Sequence, residues 1–391
     1  MKKPTRVNHP PRVDVPADNQ PVVAPIYQTV KFEFETVDET LRHLRGERPG
    51  FFYTRTSNPT LRQLELLLAE LQGRDDCLVT ASGVSAVTQT LLALTKQGDH
   101  VLCFVETYNP TRYVIRRLLG RFGVTHTMLS IEDVAGMERV LSSTKTRLVL
   151  FESPTNPVTK IADIPAITGL ARKYNALTVL DNTFAGLHQH GEFDIDVYVH
   201  SLTKYASGAG DVMGGAVIAR SDIIRTMRTD FGVIGNVLDP HAAFLILRGL
   251  KTYFVRYKAQ SESAQRIAEL LAAHPAVARV HYPGLPSHPQ HALARAQMKD
   301  FGGIVTFDLK GGAEAAKRFV EALKLFALTA SLGSTESLVV APQMMAVRDL
   351  TPEQQRMSAI TEGTVRLSIG LEDPDDLIED VTRALEAAGG Q

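Results

Sequence analysis

The sequence predicts an α/β protein with a mostly parallel sheet in a large domain and a smaller α+β domain at its C-terminal end. Short runs that are apolar on both faces alternate with helical stretches between about residues 60 and 250. Their spacing suits repeated strand–helix units, in which helices cover a parallel sheet. After about residue 250 the pattern changes to one long helix followed by mixed elements. This change predicts the second, smaller domain.

The predicted elements follow in chain order. Residues 1–52 are rich in proline and lack a sustained period, which predicts an extended arm; residues 53–250 form the large domain and residues 251–391 the small one. An amphipathic helix after Thr60 ends at Gly73. The predicted strands of the large domain are Asp76–Thr80, Val101–Val105, Arg147–Glu152, Leu177–Asp181, Val197–Ser201 and Gly215–Ala219. The small domain begins with a helix over Leu250–Ala273 and continues with strands Val277–Tyr282 and Gly303–Leu309.

Charge and cysteine content exclude several classes of protein. The 391 residues include 42 basic and 43 acidic ones, so no overall basic field exists to attract nucleic acid or an anionic membrane. No apolar run approaches the length of a membrane span, and no apolar segment follows the basic N-terminal residues. The two cysteines, Cys77 and Cys103, do not form a disulfide framework and are predicted to be buried thiols. We therefore expect a cytoplasmic protein without nucleic-acid or membrane partners.

Two polar residues follow apolar strands at the edge where open α/β sheets bind ligands. Asp181 ends one strand, and Lys204 follows the next strand in the segment Ser201-Leu202-Thr203-Lys204-Tyr205. This pair suits a pyridoxal 5'-phosphate (PLP) site. The lysine would form the Schiff base, and the aspartate would keep the pyridine nitrogen protonated so that the ring accepts electrons from a carbanion.

A turn of small residues is the candidate phosphate site. In Ser82-Gly83-Val84 a strand enters a helix, whose N-terminus offers N–H groups to an anion.

The glycine-rich stretch Gly208–Gly214 does not match the dinucleotide-binding pattern and does not directly follow a strand, so we reject dinucleotide binding. The grouped histidines lack cysteine or carboxylate partners at ligand spacing, and no metal is expected. They are His188, His190, His281, His288 and His291.

Five ordered segments resemble the PLP-dependent enzymes of Cys/Met metabolism (trans-sulfuration), the family of cystathionine synthases and lyases, methionine gamma-lyase and O-acylhomoserine sulfhydrylases. The segments are Tyr53–Thr60, Glu152–Pro157, Asp181–Phe184, Ser201–Tyr205 and Val365–Asp373. The resemblance covers nearly the whole chain. It implies the fold-type I PLP-dependent transferase fold, an amino-acid substrate, and a homotetramer built as a dimer of dimers with active sites shared between subunits.

The resemblance also implies roles for individual residues. Lys204 would carry the cofactor and move protons, Asp181 would pair with the pyridinium nitrogen, and Tyr108 would stack on the ring and act in proton transfer. Further cofactor contacts would come from Ser82, Gly83, Val84, Thr183, Ser201 and Thr203, and from Tyr53 and Arg55 of a neighbouring subunit. Arg366 would hold the substrate carboxylate by a bidentate pair, helped by Ser331 and Asn156.

The reaction within the family stays open at this point. We expect elimination at the γ- or β-carbon of a sulfur- or oxygen-substituted L-amino acid, giving a 2-oxo acid, ammonia and the leaving group, ahead of γ-replacement. The segment Asn109-Pro110-Thr111-Arg112 favours β-lyases, whereas Ser331-Leu332-Gly333 favours the γ-group. Ala330 offers no charge to a distal ammonium, and the segment Ala341–Asp349 lacks the histidines that are usual in the family.

Two other functions are weaker alternatives. A catalytically inert PLP-fold scaffold would most simply lack the lysine, but Lys204 is present together with Asp181 and Arg366. Transamination is disfavoured because the segments around Asp181 and Lys204 follow the Cys/Met pattern closely.

Four arginines at helical spacing predict a solvated helix face. They are Arg112, Arg116, Arg117 and Arg121.

Overall fold

A computed structural model describes residues 19, 21–341, 344 and 349–389. In this part of the chain a seven-stranded sheet has the order β1-β7-β6-β5-β4-β2-β3. Its strands are β1 (Asp76–Thr80), β2 (His100–Phe104), β3 (Thr125–Leu129), β4 (Leu148–Glu152), β5 (Leu177–Asp181), β6 (Val197–Ser201) and β7 (Gly215–Ala219). All neighbouring pairs are parallel except those of β7, which is antiparallel to β1 and β6. The predicted mostly parallel α/β fold is confirmed.

Helices cover both faces of the large sheet, and each face has its own apolar core. This explains why the central strands are apolar on both sides, as in sheets that are buried between helices. Within the described residues up to position 273, the α-helices are Val37–Leu44, Pro59–Gln72, Gly83–Leu94, Asn109–Tyr113, Val134–Ser143, Ile164–Lys173, Ser221–Ile234, Pro240–Leu250 and Tyr253–Ala273. A π-helix (Val114–Leu118) and a 3-10 helix (Leu119–Phe122) continue the helix that begins at Asn109.

A second sheet of five strands has the order β10-β11-β12-β9-β8 and is antiparallel except between β10 and β11. Its strands are β8 (Val277–His281), β9 (Ile304–Leu309), β10 (Ala327–Leu328), β11 (Leu338–Val340) and β12 (Thr364–Ser368). Its helices are His291–Gln297, Gly312–Ala322, Pro352–Met357 and Pro374–Gly389. The helix Tyr253–Ala273 joins the two bodies, because Tyr253 and Tyr257 pack in the core of the large sheet and Ile267 and Leu271 in that of the small sheet.

The structure differs from the sequence-based elements in three places. The edge strand β3 was not predicted, and the segment expected to be one helix from Leu250 is divided at Lys251 and Thr252. Within the predicted extended arm, Val37–Leu44 is helical because Thr36 caps its N-terminus by accepting from the N–H of Glu39. The expected domain boundaries at residues 52 and 250 stay predictions, and residues 1–18 and 20 lie outside the described residues.

This topology brings strand ends of the large sheet together with the middle of a strand of the small sheet. The carboxyl ends of the parallel strands β4, β5 and β6 lie side by side, and β12 of the small sheet contributes Arg366 to the same region. Among the described residues, no helix combines the length and the apolar character that crossing a lipid bilayer requires.

Candidate active site

One cavity of about 520 Å³, here called the central cavity, lies at this junction. Every residue predicted from the sequence to bind cofactor or substrate lines it, apart from Tyr53 and Arg55. The residues brought together are Ser82, Gly83, Val84, Tyr108, Asn156, Asp181, Thr183, Ser201, Thr203, Lys204, Ser331 and Arg366. They come from segments far apart in the chain, so their convergence is a property of the fold.

Lys204 enters the cavity from the turn that follows β6. Its Nζ donates a hydrogen bond of 2.7 Å to Oγ of Ser331. Burial, together with the positive charge of Arg366, lowers the pKa of the ammonium to about 8. The neutral amine, which is the form that attacks an aldehyde, is therefore far more populated near neutral pH than in an ordinary lysine.

Two carboxylates, Asp181 and Glu152, lie on adjacent strands in direct register. Asp181 accepts hydrogen bonds from the N–H (3.1 Å) and hydroxyl (2.6 Å) of Thr183. Burial raises the pKa of both carboxyls, and the charge of Asp181 raises that of Glu152 further. A buried carboxylate in this position is stabilised by a cationic partner such as a protonated ring nitrogen.

The turn into helix Gly83–Leu94 is closely packed on β6. A Cβ on Gly83 would lie 2.6 Å from Cβ of Ser201, so a larger residue does not fit here without displacement. Ser82 caps the helix by accepting from the N–H of Ser85 at 3.2 Å. The hydroxyl of Thr203 accepts from the N–H of Gly214 at 3.1 Å. The N-terminus of this helix, with the hydroxyl groups of Ser82 and Thr203 beside it, suits a phosphate.

Arg366 is a buried residue of the cavity lining. It donates to Oδ1 of Asn156 at 2.8 Å and to the carbonyl of Ser331 at 2.7 Å, while its Nε has no partner. Burial lowers its pKa to about 10. Since an unpaired buried guanidinium group is costly, this site favours a carboxylate ligand. Ser331 has φ of 118°, a strained value for a non-glycine residue that places its hydroxyl and carbonyl between Lys204 and Arg366.

Tyr108 lies at the mouth of the cavity, with 44% of its surface exposed. Its backbone N–H donates to Oε1 of Glu152 at 2.5 Å, which fixes the start of the helix that follows β2. Burial raises the pKa of the phenol, and the charges of Glu152 and Asp181 add to this shift. Glu152 was part of a recognised segment, but sequence reasoning gave it no role. Its position at the end of a strand was the available signal.

Tyr53 and Arg55 do not reach the cavity of their own chain. The Arg55 guanidinium lies 5.8 Å from the centroid of the Tyr53 ring and donates to the carbonyl of Gly232 at 2.5 Å. Tyr53 is 40% exposed. Their assignment to a neighbouring subunit's cofactor stays a prediction.

A cluster missed by sequence reasoning borders the cavity. Asn109, Arg112 and Arg116 all contact Asp349, and we call these four residues the Asp349 cluster. The prediction that Arg112 belongs to a solvated face is wrong, since this residue is only 4% exposed. Its partner Asp349 is 237 residues further along the chain, so no local pattern reveals the pair.

The site residues fit PLP. The glycine cradle at a helix N-terminus suits its phosphate, the buried Asp181 suits its ring nitrogen, and the lysine of lowered pKa suits its aldehyde. The fold and site together define a PLP-dependent α/β enzyme that acts on a carboxylate-bearing amine.

Comparison with known proteins identifies the family. The family described as Cys/Met metabolism PLP-dependent enzyme matches residues 7–386, and the chain belongs to it. The L-methionine gamma-lyase of Pseudomonas putida is 43% identical over 371 residues, covering 94% of this chain and 93% of that protein. The family resemblance and the PLP cofactor predicted from the sequence are confirmed.

Solved structures agree with the family. Cystathionine gamma synthase from Xanthomonas oryzae pv. oryzae in complex with cystathionine superposes with a TM-score of 0.89 at 35% identity, covering 94% of each chain. A putative O-acetylhomoserine (thiol)-lyase from Campylobacter jejuni, which contains a pyridoxyl-lysine-monophosphate residue, gives 0.88 at 32% identity, covering 96% of this chain and 97% of that one. These similarities confirm the fold-type I architecture.

Proposed function

We propose that this enzyme eliminates a thiol from the γ-carbon of a sulfur-substituted L-amino acid such as methionine. In that reaction methionine and water give 2-oxobutanoate, ammonia and methanethiol. The supporting observation is the side-chain wall of the cavity. Its described lining residues between positions 330 and 360 are all uncharged. They are Ala330, Ser331, Leu332, Val340, Met344, Ser358 and Ile360.

Such a wall suits a thioether better than the charged distal end of cystathionine, because a charged group that leaves water needs a partner. The name of the Pseudomonas putida relative, L-methionine gamma-lyase, supports the same choice. The segment Asn109–Arg112, which resembles the β-lyases, favours β-elimination instead, and the assay described below distinguishes the two reactions.

The site residues have the following proposed roles. Bound PLP supplies an electron-accepting ring that stabilises a carbanion at Cα. Arg366 and Asn156 hold the substrate carboxylate, which fixes the orientation of the amino acid. Lys204 moves protons at the α- and β-carbons, and Ser331 keeps its amine in place through the 2.7 Å hydrogen bond. Tyr108 protonates the departing sulfur, since its raised pKa keeps the phenol protonated.

Replacement at the γ-carbon is the second candidate function. The structural similarity to cystathionine gamma synthase favours it, since both reactions begin with loss of the α-proton. They differ in whether water or an added thiol consumes the unsaturated intermediate.

We further propose a cytoplasmic homotetramer, a dimer of dimers with shared active sites. Both cysteines are free and buried, as is usual in a reducing compartment. Exposed groups at and near the site support a shared interface, among them Met213 at 67% exposure and the Tyr53–Arg55 pair. A second subunit would cover them.

The test is a 2-oxo-acid assay on the purified PLP-loaded protein with methionine, homocysteine, cystathionine, and O-acetyl- and O-succinylhomoserine offered in parallel. We expect 2-oxobutanoate from methionine. Pyruvate from cystathionine would overturn the proposal in favour of β-elimination. Product that forms only after a thiol is added to an acylhomoserine would instead establish replacement.

A further inference from the structure

Arg112 is a buried cation in the wall of the central cavity. Its Nη1 donates to the carbonyl of Val105 at 3.0 Å and also to that of Thr107, the residue directly before Tyr108. These bonds fix the guanidinium group beneath the loop that carries Tyr108. A guanidinium group remains charged at all physiological pH values, so its charge must be balanced by a neighbouring anion.

Asp349 supplies that anion. Its carboxylate accepts from Nε of Arg112 at 3.0 Å and from Nη2 at 2.7 Å, which is the bidentate geometry of a strong ion pair. Asn109 donates to the same carboxylate at 2.9 Å, and Arg116 donates to it at 3.2 Å and to the Asp349 carbonyl at 2.6 Å. Although burial opposes ionisation, the hydrogen bonds and charge of Arg112 lower the pKa of Asp349. The carboxylate is therefore charged near neutral pH.

The other charged groups lining the cavity already have functions or partners. Arg366 and Lys204 face the substrate carboxylate and amine, and Asp181 faces the cofactor in the proposed function. Glu106 pairs with Lys160 at 2.9 Å. Glu152 accepts a hydrogen bond from the backbone N–H of Tyr108. The charge of Arg112 lowers the pKa of Glu152, but burial raises this pKa by more.

Arg116, which shares this carboxylate, is one-third exposed to water and is not among the residues that line the cavity. From this arrangement we infer that Asp349 is a specificity-determining residue: it masks the charge of the buried Arg112 and so keeps the cavity selective for substrates with uncharged side chains. Without the mask, Arg112 would attract a ligand whose side chain ends in a carboxylate. The inference rests on the proposed function only in assuming that the ligand is an L-amino acid.

Two amino acids of equal chain length test the inference without any reaction. The side chain of L-norleucine ends in a methyl group, whereas that of L-2-aminoadipate ends in a carboxylate. Neither ligand carries a leaving group. Their binding to the holoenzyme is titrated through the change in absorbance of the bound cofactor. We expect the wild type to prefer norleucine. Asp349→Asn, which is nearly the same shape but neutral, should reduce this preference about tenfold, mainly by tighter binding of aminoadipate. The gain should decrease at high salt.

Matched variants separate charge from shape and from folding. Asp375→Asn removes a carboxylate from the exposed pair with Arg266, neither of which lines the cavity, and should leave the preference unchanged. Asp349→Glu retains the charge and should retain the preference even if overall affinity falls. An Asp349→Asn protein that loses affinity for both ligands equally would overturn the inference and leave Asp349 with a structural role.

The experiment is independent of the reaction. If no thiol is eliminated from methionine but the preference still shifts, the proposed function fails and the masking role stands. If methionine is consumed and the preference does not shift, the proposed function stands and the masking role of Asp349 fails.

Discussion

Lys204 and Arg366 affect each other at the scale of single residues. The two cations share the cavity with Ser331, which accepts from the lysine through its hydroxyl and from the arginine through its carbonyl. Since Arg366 helps to lower the lysine pKa, the group proposed to select the substrate carboxylate also prepares the amine that carries the cofactor. When a carboxylate binds Arg366, part of that effect is neutralised.

The rate of cofactor uptake should therefore depend on pH. Only the neutral amine attacks the PLP aldehyde, and its fraction rises as pH increases through the lysine pKa of about 8. We expect the uptake rate of the apoenzyme to rise through this range and to level off above it. In Arg366→Gln the midpoint should move to higher pH, because a cation that disfavours the ammonium form has been removed.

Stopped-flow absorbance of PLP binding measures this profile. Lys204→Ala is the control, since borohydride reduction should then attach no pyridoxyl group to the peptide that contains position 204. An uptake rate that does not change across pH 8 would contradict the lysine assignment, as would a pyridoxyl label on another lysine.

At the scale of secondary structure elements, the contact between helix Gly83–Leu94 and strand β6 determines the shape of the proposed phosphate site. A Cβ at Gly83 would also lie 2.9 Å from the backbone Cα of Ser201, which a rotamer change does not relieve. The helix and the strand would have to separate. The first turn of the helix would then move relative to Ser201 and Thr203.

Gly83→Ala should thus weaken PLP retention by about tenfold or more and reduce stability by roughly 1–3 kcal/mol, the usual cost of overpacking. Gly169→Ala is the matched control, since it lies within helix Ile164–Lys173 with nothing within 4 Å of an added Cβ. This variant should gain up to about 1 kcal/mol from helix propensity. Equilibrium dialysis of PLP and denaturant unfolding provide the two measurements. Equal behaviour of the two variants would contradict close packing as the reason for glycine at position 83.

The strands of the large sheet were predictable because their apolar runs end at polar residues such as Asp181. The edge strand β3 was missed because Thr125 and His126 are exposed, so it lacks the apolar run of a central strand. The helix boundary at Thr252 was missed because the apolar helical pattern continues through it, although Gly249 and Thr252 were available local signals. Tertiary contacts also hold the junction, as Arg256 donates to the carbonyls of Tyr205 and Gly249.

The candidate site shows the same division between local and long-range information. Lys204, Asp181 and Arg366 stand in segments that identify the family, and the structure brings them together in one cavity. The Arg112–Asp349 pair could not be predicted, because its partners depart from the family pattern and lie far apart in sequence. Helical spacing alone suggested a solvated arginine, whereas tertiary contacts bury it.

At the scale of the whole molecule, the proposed sharing of active sites between subunits can be tested by mixing two inactive variants. Arg55→Ala retains Lys204, and Lys204→Ala retains Arg55. If Arg55 contacts the cofactor of a neighbouring subunit, each mixed dimer contains one site with both residues intact. Co-refolding or co-expression should then restore activity and cofactor absorbance that neither variant has alone.

The control uses Arg45→Ala mixed with Lys204→Ala, since Arg45 is an exposed arginine next to helix Val37–Leu44. Arg45→Ala alone should remain active, and mixing it with Lys204→Ala should dilute its activity without any gain. An Arg55→Ala variant that binds PLP as the wild type does, in a verified oligomer, would contradict the shared site.

The position of Arg366 on the small sheet and of Lys204 on the large one has a consequence for dynamics. A bound amino acid connects the two sheets, because its carboxylate binds Arg366 and its amine lies near Lys204. The connection is lost when the product leaves. Amide hydrogen exchange in β11 and β12 should slow when a non-reactive amino acid is bound. A simple alkylamine lacks the carboxylate and should leave that exchange unchanged. Each turnover would then reduce the mobility of the junction between the two sheets when substrate binds and restore it when product leaves.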